Sequence, residues 1–136
     1  MNGSNGKSSS KHEVSLPFQW WDGNGGEDRS GYLVTLEGEC IRKATSKDAY
    51  VLGATAGESS VIKIGSVSIQ EDGRCQIIGF CQSEVVLCGK AAVRDDGTCQ
   101  PNGTCRPNDE GIATLHPFGY RVLKRLDERT ILIMVK

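Results

Sequence analysis

The sequence predicts an all-β fold: a compact domain of many short, bent strands and hairpins, ending in a closing hairpin and containing little helix. Three observations carry this. Seventeen glycines against four prolines supply turns at short intervals. β-branched and aromatic residues gather in short runs bounded by Gly, Asp and Asn. No window of about eleven residues or more keeps an apolar period of 3.6, and no internal repeat is visible.

Taken in order, residues 1–12 are rich in Asn, Gly, Ser and Lys, cannot bury apolar surface, and are expected to be a disordered tail or linker. They lack the apolar core of a secretory signal. Residues 13–136 are expected to form one domain, a length sufficient for a single core. Residues 13–17 read as a transition. Phe18, Trp20 and Trp21 then form the only dense aromatic cluster, either capping the core or filling a subunit contact, or else a stacking platform for a base or sugar.

After the glycine-rich loop at 22–26 comes the charged triplet Glu27-Asp28-Arg29. It reads either as a solvated corner or as carboxylates whose pKa a neighbouring arginine tunes. Residues 32–36 are expected to be a strand, Glu37-Gly38-Glu39 a turn, and 40–44 the returning strand. A short helix or 3₁₀ turn is expected near 45–49, followed by an apolar run at 49–52 that stops at Gly53. Strands are expected at 61–69, 75–80 and 85–93, with a turn at 71–74. Pro101, Gly103 and Pro107 predict irregular chain from 98 to 110. Residues 111–115 read as a short strand, and 120–126 with 130–135 as the closing hairpin.

Composition excludes several functions. The formal net charge is −1, with 16 basic and 17 acidic residues, so the basic footprint of a nucleic-acid binder is missing. No apolar run approaches the roughly 18 residues of a membrane-spanning helix. Six cysteines occur without a C-x2-C pair, and the two histidines lie far apart in sequence, so neither a structural metal nor a cofactor is expected. The cysteines are expected to be free thiols, Cys99 and Cys105 being the pair placed to lie close. No nucleophile elbow, phosphate loop, dinucleotide fingerprint or H-E-x-x-H motif is present, so chemistry on a diffusible substrate is not expected.

Two blocks carry a family resemblance. WWDGNGGEDRSGYLVTLEGECIRKATSKDAYVLG contains W-x-D-G-N, E-D-R-x-G-Y, V-T-L-x-G, I-R-x-A and Y-x-L-G in order. VVLCGKAAVRDDGTCQPNGTCRPNDEGIAT, followed by GYRVLKRLDERTILIMV, forms the second block. Together they resemble the autoproteolytic intramolecular-chaperone domain at the C-terminus of phage neck-appendage (tail-spike) proteins, from Trp20 to the end, more weakly between residues 58 and 82.

The resemblance implies a β-rich homotrimer that helps an upstream spike segment to trimerise, made in the host cytoplasm and belonging to a virion appendage. It implies release by self-cleavage of the glutamic-peptidase type near the module's N-terminal edge. The candidate catalytic residues are then Glu13, Asp22, Glu27, Asp28 and Arg29, the arginine orienting a carboxylate, with Asn108-Asp109-Glu110 as a second acidic knot able to meet them across a subunit boundary. Family members carry an Asp- and Glu-containing scissile segment before the aromatic cluster; here residues 12–17 contain Glu13 as their only acid. A second reading follows: a structural trimerisation module that has lost cleavage, with Trp20, Trp21 and the closing hairpin as contact surfaces.

Overall fold

A 20-residue strand, Cys75–Arg94, organises the molecule. The computed structural model describes residues 14–22, 28–56, 61–69 and 75–136. Ten described strands form one antiparallel sheet: β1 (Val14–Gln19), β2 (Leu33–Glu37), β3 (Cys40–Lys43), β4 (Gly53–Thr55), β5 (Val61–Ile69), β6 (Cys75–Arg94), β7 (Thr104–Pro107), β8 (Ala113–Leu115), β9 (Tyr120–Asp127) and β10 (Thr130–Val135). The order is β3-β2-β4-β6-β10-β9-β7-β8, with β1 and β5 also paired to β6, and the sheet curls into a half-barrel. The all-β class is therefore as the sequence predicts, and no described residue is helical.

The sequence divides β6 into two strands; the structure runs them together. The residues between, Cys81-Gln82-Ser83-Glu84, stay extended because β5 pairs with 81–83 and β1 with 82–84. Successive thirds of β6 take different partners. Residues 75–83 pair with β5, 82–88 with β1, and 89–94 with β10. Gly89, at φ +116°, sits where the β1 pairing ends and the β10 pairing begins.

Period-two geometry divides the core. Leu33 and Val86 enter a large cluster with Ala91, Val93, Val122, Ile131, Ile133 and Val135. Their chain neighbours Val34 and Val85 point the other way, into a smaller cluster with Trp20 and Ile41. At this point the sheet is covered on both faces. β10 shows the same rule, with Ile131, Ile133 and Val135 buried and the residues between them half-buried. Each such aliphatic side chain stabilises the fold by about 1.5–3 kcal/mol.

Several boundaries move. Residues 14–17 of the expected transition belong instead to the exposed strand β1. The apolar run at 49–52 is not a strand; pairing begins at Gly53, where a Cβ would lie 2.1 Å from the Val86 carbonyl oxygen, so close contact selects glycine. The expected helix at 45–49 is a turn, because the Asp48 carboxylate takes the Thr45 N–H (2.8 Å) and hydroxyl (3.1 Å). The irregular 98–110 segment contains β7. Pro101 and Gly103 belong to a turn closed by Gly103 N–H to Gln100 O (2.9 Å), with Asn102 at φ +66°, and Pro107 ends the strand. The short strand is shorter than expected, Ala113–Leu115.

Other expectations stand. The 2–3 hairpin turns on Gly38 at φ +65°, β5 has the expected bounds, and the closing hairpin is β9–β10. The 71–74 turn lies outside the described residues. Trp20 is buried, so it caps the smaller core and cannot be a contact surface, whereas Trp21 is exposed. Cys40, Cys88, Cys99 and Cys105 are free thiols, the last two buried together in the larger core.

Two glycine substitutions separate backbone strain from collision. Gly38→Ala meets only the left-handed conformational penalty, and should cost about 1 kcal/mol because nothing lies within 4 Å of the new Cβ. Gly119→Ala places its Cβ 2.1 Å from the Cys105 carbonyl oxygen, and should cost at least ~3 kcal/mol or prevent folding. Urea midpoints of the two variants against the parent measure the difference.

Candidate functional site

The charged corner that precedes β2 is strapped to the sheet by its backbone. Gly31 N–H bonds Thr55 O (3.1 Å), Thr55 N–H bonds Tyr32 O (2.9 Å), and Arg94 N–H bonds Gly31 O (2.8 Å). The buried Thr55 hydroxyl donates to Arg29 O (2.6 Å) and accepts from Tyr32 N–H (2.9 Å). Gly31, at φ +78°, has the Arg94 side chain and backbone within 3.3–3.4 Å of where a Cβ would stand, so the corner lies tight on the end of β6.

Two arginine–carboxylate pairs flank this strap. Arg29, buried, grips Asp22 through both nitrogens of its fork (2.9 and 2.7 Å), and its guanidinium stacks 4.6 Å above the Trp20 ring. Trp20 in turn donates from Nε1 to Ser83 Oγ (2.8 Å) on β6. Asp28, largely exposed, accepts from the Ser30 hydroxyl (2.7 Å) and N–H (3.0 Å), with Arg94 Nη2 3.4 Å from its other oxygen. These contacts, the Ser30 hydroxyl foremost, lower the Asp28 pKa, so it is an ionised acceptor at neutral pH. Arg94 also donates from Nε to Ser30 O (2.9 Å) and lies 4.6 Å above the Tyr32 ring, where Lys43 sits at 4.1 Å.

Of the sequence-predicted residues, Asp22, Asp28 and Arg29 therefore meet around one corner. Glu13 and Glu27 lie outside the described residues. Within the chain, the second acidic knot is tied elsewhere: Asp109 accepts from the Ser46 hydroxyl and N–H, and Asn108 Oδ1 accepts from the N–H groups of Glu110 (2.8 Å) and Ile112 (3.1 Å). Arg94, Thr55 and Ser83 are the residues that sequence reasoning missed. Each lies more than twenty positions from its partner, and no local pattern marks it.

Two clefts adjoin the corner. A cleft of about 430 Å³ is lined by Ser30, Gly31, Arg94, Asp95, Arg129 and Thr130, among others. A smaller one of about 290 Å³ is lined by Trp20, Trp21, Asp22, Arg29, Arg42, Lys43 and Thr45. Arg42 there is a structural knot. It binds both oxygens of Asp48 (2.9 and 3.0 Å) and Glu37 (2.8 Å).

One group of described residues has metal-ligand chemistry: Asp95, Asp96 and Cys99 bring ligand atoms within 4.8 Å of one another. The donor set does not fit a metal, because a cation is already in place. Arg125 takes both Asp95 oxygens (3.1 and 2.7 Å), and Gly97 N–H takes Oδ2 (3.0 Å). Burial pushes the Asp95 carboxyl up, but Arg125 and these N–H groups outweigh it and leave the pKa lowered.

No family model matches the chain, and no curated protein sequence does. Solved structures do match, and they share the fold. One is the bacteriophage phi29 gene product 12 C-terminal fragment, 23% identical, with a TM-score of 0.62 over 90% of this chain and 99% of that one. Another is the pre-mature phi29 gene product 12, also 23% identical, with a TM-score of 0.64 over 91% of this chain. This chain spans 21% of that longer protein. The likeness is one of fold, and it is the fold implied by the resemblance of the two sequence blocks.

Acid should loosen the corner's surroundings in a defined order. Arg42 above all, with the Thr45 N–H and hydroxyl, holds Asp48 at a pKa of about 2, below its ordinary 3.8. A depressed folded-state pKa gives stability that is full above the unfolded value and is lost as pH falls toward the folded one. Unfolding free energy should therefore drop between pH 4 and 2, and Asp48→Asn should flatten that part of the profile. Urea titrations at stepped pH measure both slopes.

Proposed function

We propose that this chain is the C-terminal module of a phage or prophage appendage protein, one that promotes trimer assembly of the segment preceding it and then releases itself by cutting one peptide bond. The observation that carries the reading is the fold shared with almost the whole of the phi29 gene product 12 C-terminal fragment. The partners are two further copies of the chain and the upstream appendage segment.

In this reading the chemistry sits at the corner before β2. Asp28 is exposed and ionised at neutral pH, and its lowered pKa makes it a weak base, suited to orienting an attacking water or hydroxyl by accepting its hydrogen bond. Asp22 is held in place by Arg29, and Glu13 and Glu27 supply further carboxylates to the same stretch of sequence. Trimer assembly adds groups from a neighbouring copy, so that the nucleophile, the carboxylate and the scissile bond come within reach only when assembly is correct. Folding then acts as the checkpoint for cleavage.

A second reading has a specific observation behind it. Both described acids of the corner are engaged by arginines, Asp22 by Arg29 and Asp28 by Arg94. In a module that assembles without cutting, these pairs serve to hold the corner against β6.

Intact mass and native molar mass by light scattering, on fresh and aged protein, separate the readings. The cleaving module is expected as a trimer whose chain shortens near residues 12–17, and Glu27→Gln or Asp28→Asn should slow that shortening by about a hundredfold. A trimer of constant mass selects the assembly-only module. A stable monomer overturns both.

A further inference from the structure

The β5–β6 ribbon stands apart from the rest of the sheet. β5 pairs along its whole length with residues 75–83 of β6 and with no other described strand. Residues 75–81 of β6 likewise take no described partner but β5, because β1 reaches only to Gln82. Two backbone edges are therefore open among the described residues, nine residues long on β5 and seven on β6. They lie on opposite sides of one ribbon.

Neither edge carries the usual protection. Lys63 is the sole charged residue among the eighteen in register, and no proline occurs there. By contrast β3, at the edge of the main sheet, has Arg42 and Lys43 among its four residues. Period two places Ile64, Ile78 and Phe80 on one face of the ribbon and Val67, Ile69 and Ile77 on the other. Gly65 stands opposite Gly79 at mid-length, a position that admits the close approach of another backbone. A two-stranded ribbon is marginal alone and gains stability from further strands.

We propose that these ribbons are the contact between copies of the chain: β5 of one copy pairs with residues 75–81 of β6 in the next, and three ribbons close into a six-stranded ring. The number three rests on the trimer of the proposed function; the mode of contact rests on the two edges. Because those edges lie on opposite sides of the ribbon, the contact is head-to-tail and closes by rotation. About a three-fold axis along the ribbon, every β5 runs one way and every β6 the other, so each junction is antiparallel, as the ribbon itself is. A junction of seven residues is about 23 Å long, and over that length the ring leaves no edge open. It also turns one face of every ribbon toward a shared interior. The single lysine in eighteen residues suits an uncharged edge of the same chain, and gives an acidic or basic partner little to recognise.

The test is hydrogen exchange with peptide mapping, together with native molar mass by light scattering across a dilution series. Both are run on the full chain and on the double variant Ile64→Lys/Val67→Lys, which charges both faces of the ribbon. In a lone ribbon alternate amides face solvent and about half exchange fast, whereas in the ring nearly all are bonded. The expected result is a trimer in which nearly all amides of 61–69 and 75–81 exchange slowly, about half of them becoming fast on dilution to the monomer. The variant's native mass should be about threefold lower. Exchange on the parent chain decides the matter even where the variant fails to fold. A trimer in which about half of those amides remain fast, or a variant that stays trimeric, overturns the ribbon contact and leaves the trimer itself standing. A parent chain that is monomeric at every concentration overturns both.

Discussion

Hydrogen bonding along both edges of β6 is the constraint on which the rest of the structure depends. At Val85 and Val86 the same two residues pair with β1 on one edge and with β4 on the other. Because neighbouring side chains point to opposite faces, that crossing also divides the core: Val86 enters the larger cluster and Val85 the smaller. The charged corner is placed from the same strand, through Arg94 at the end of β6 and through Ser83 under Trp20. A shift of β6 by one residue would exchange the two cores and break both anchors at once.

With no helices among the described residues to brace the loops, arginines do so. Arg94 holds the Ser30 carbonyl, Arg125 the Cys99, Asp127 and Glu128 carbonyls, Arg106 the Asp48 carbonyl, and Arg42 the Lys43 carbonyl. A guanidinium presents five donors in a rigid plane, so one side chain can take a carboxylate and a carbonyl together. Exposed pairs of this kind contribute at most about 1 kcal/mol each; their value lies in fixing loop geometry. The fork of Arg29, stacked on Trp20 and closed by Asp22, is the buried member of the set.

How much was legible in the sequence depends on the range of the deciding contact. The 2–3 hairpin and the closing hairpin were readable because a local turn and period-two alternation specify them. Cys99 and Cys105, the ends of one short loop, fall in the same core cluster. The unity of β6 was not: its two apolar runs look like separate strands, and the polar link between them stays extended because β1 and β5 pair with it. β7 was hidden by Pro101 before it and by Pro107, although Pro107 only ends the strand. At the candidate site, EDRSGY marked the corner, but its partners Thr55, Ser83 and Arg94 come from distant strands and leave no local trace. Trp20 and Trp21 are adjacent letters with opposite fates, decided by which side of the strand end each ring takes.

The position of β10 sets the timing of folding. Ile131, Ile133 and Val135 sit at the centre of the larger core, and their strand is flanked on both sides by β6 and β9. A nascent chain therefore carries Leu33, Val86 and Val93 into the cell without the surface that should cover them, until residue 135 has cleared the ribosome. Local hairpins can form as they emerge, but the larger core lacks central residues until β10 is present. A message cut short, or a ribosome stalled in the last codons of this region, yields a chain with an open apolar face rather than a slightly shorter domain.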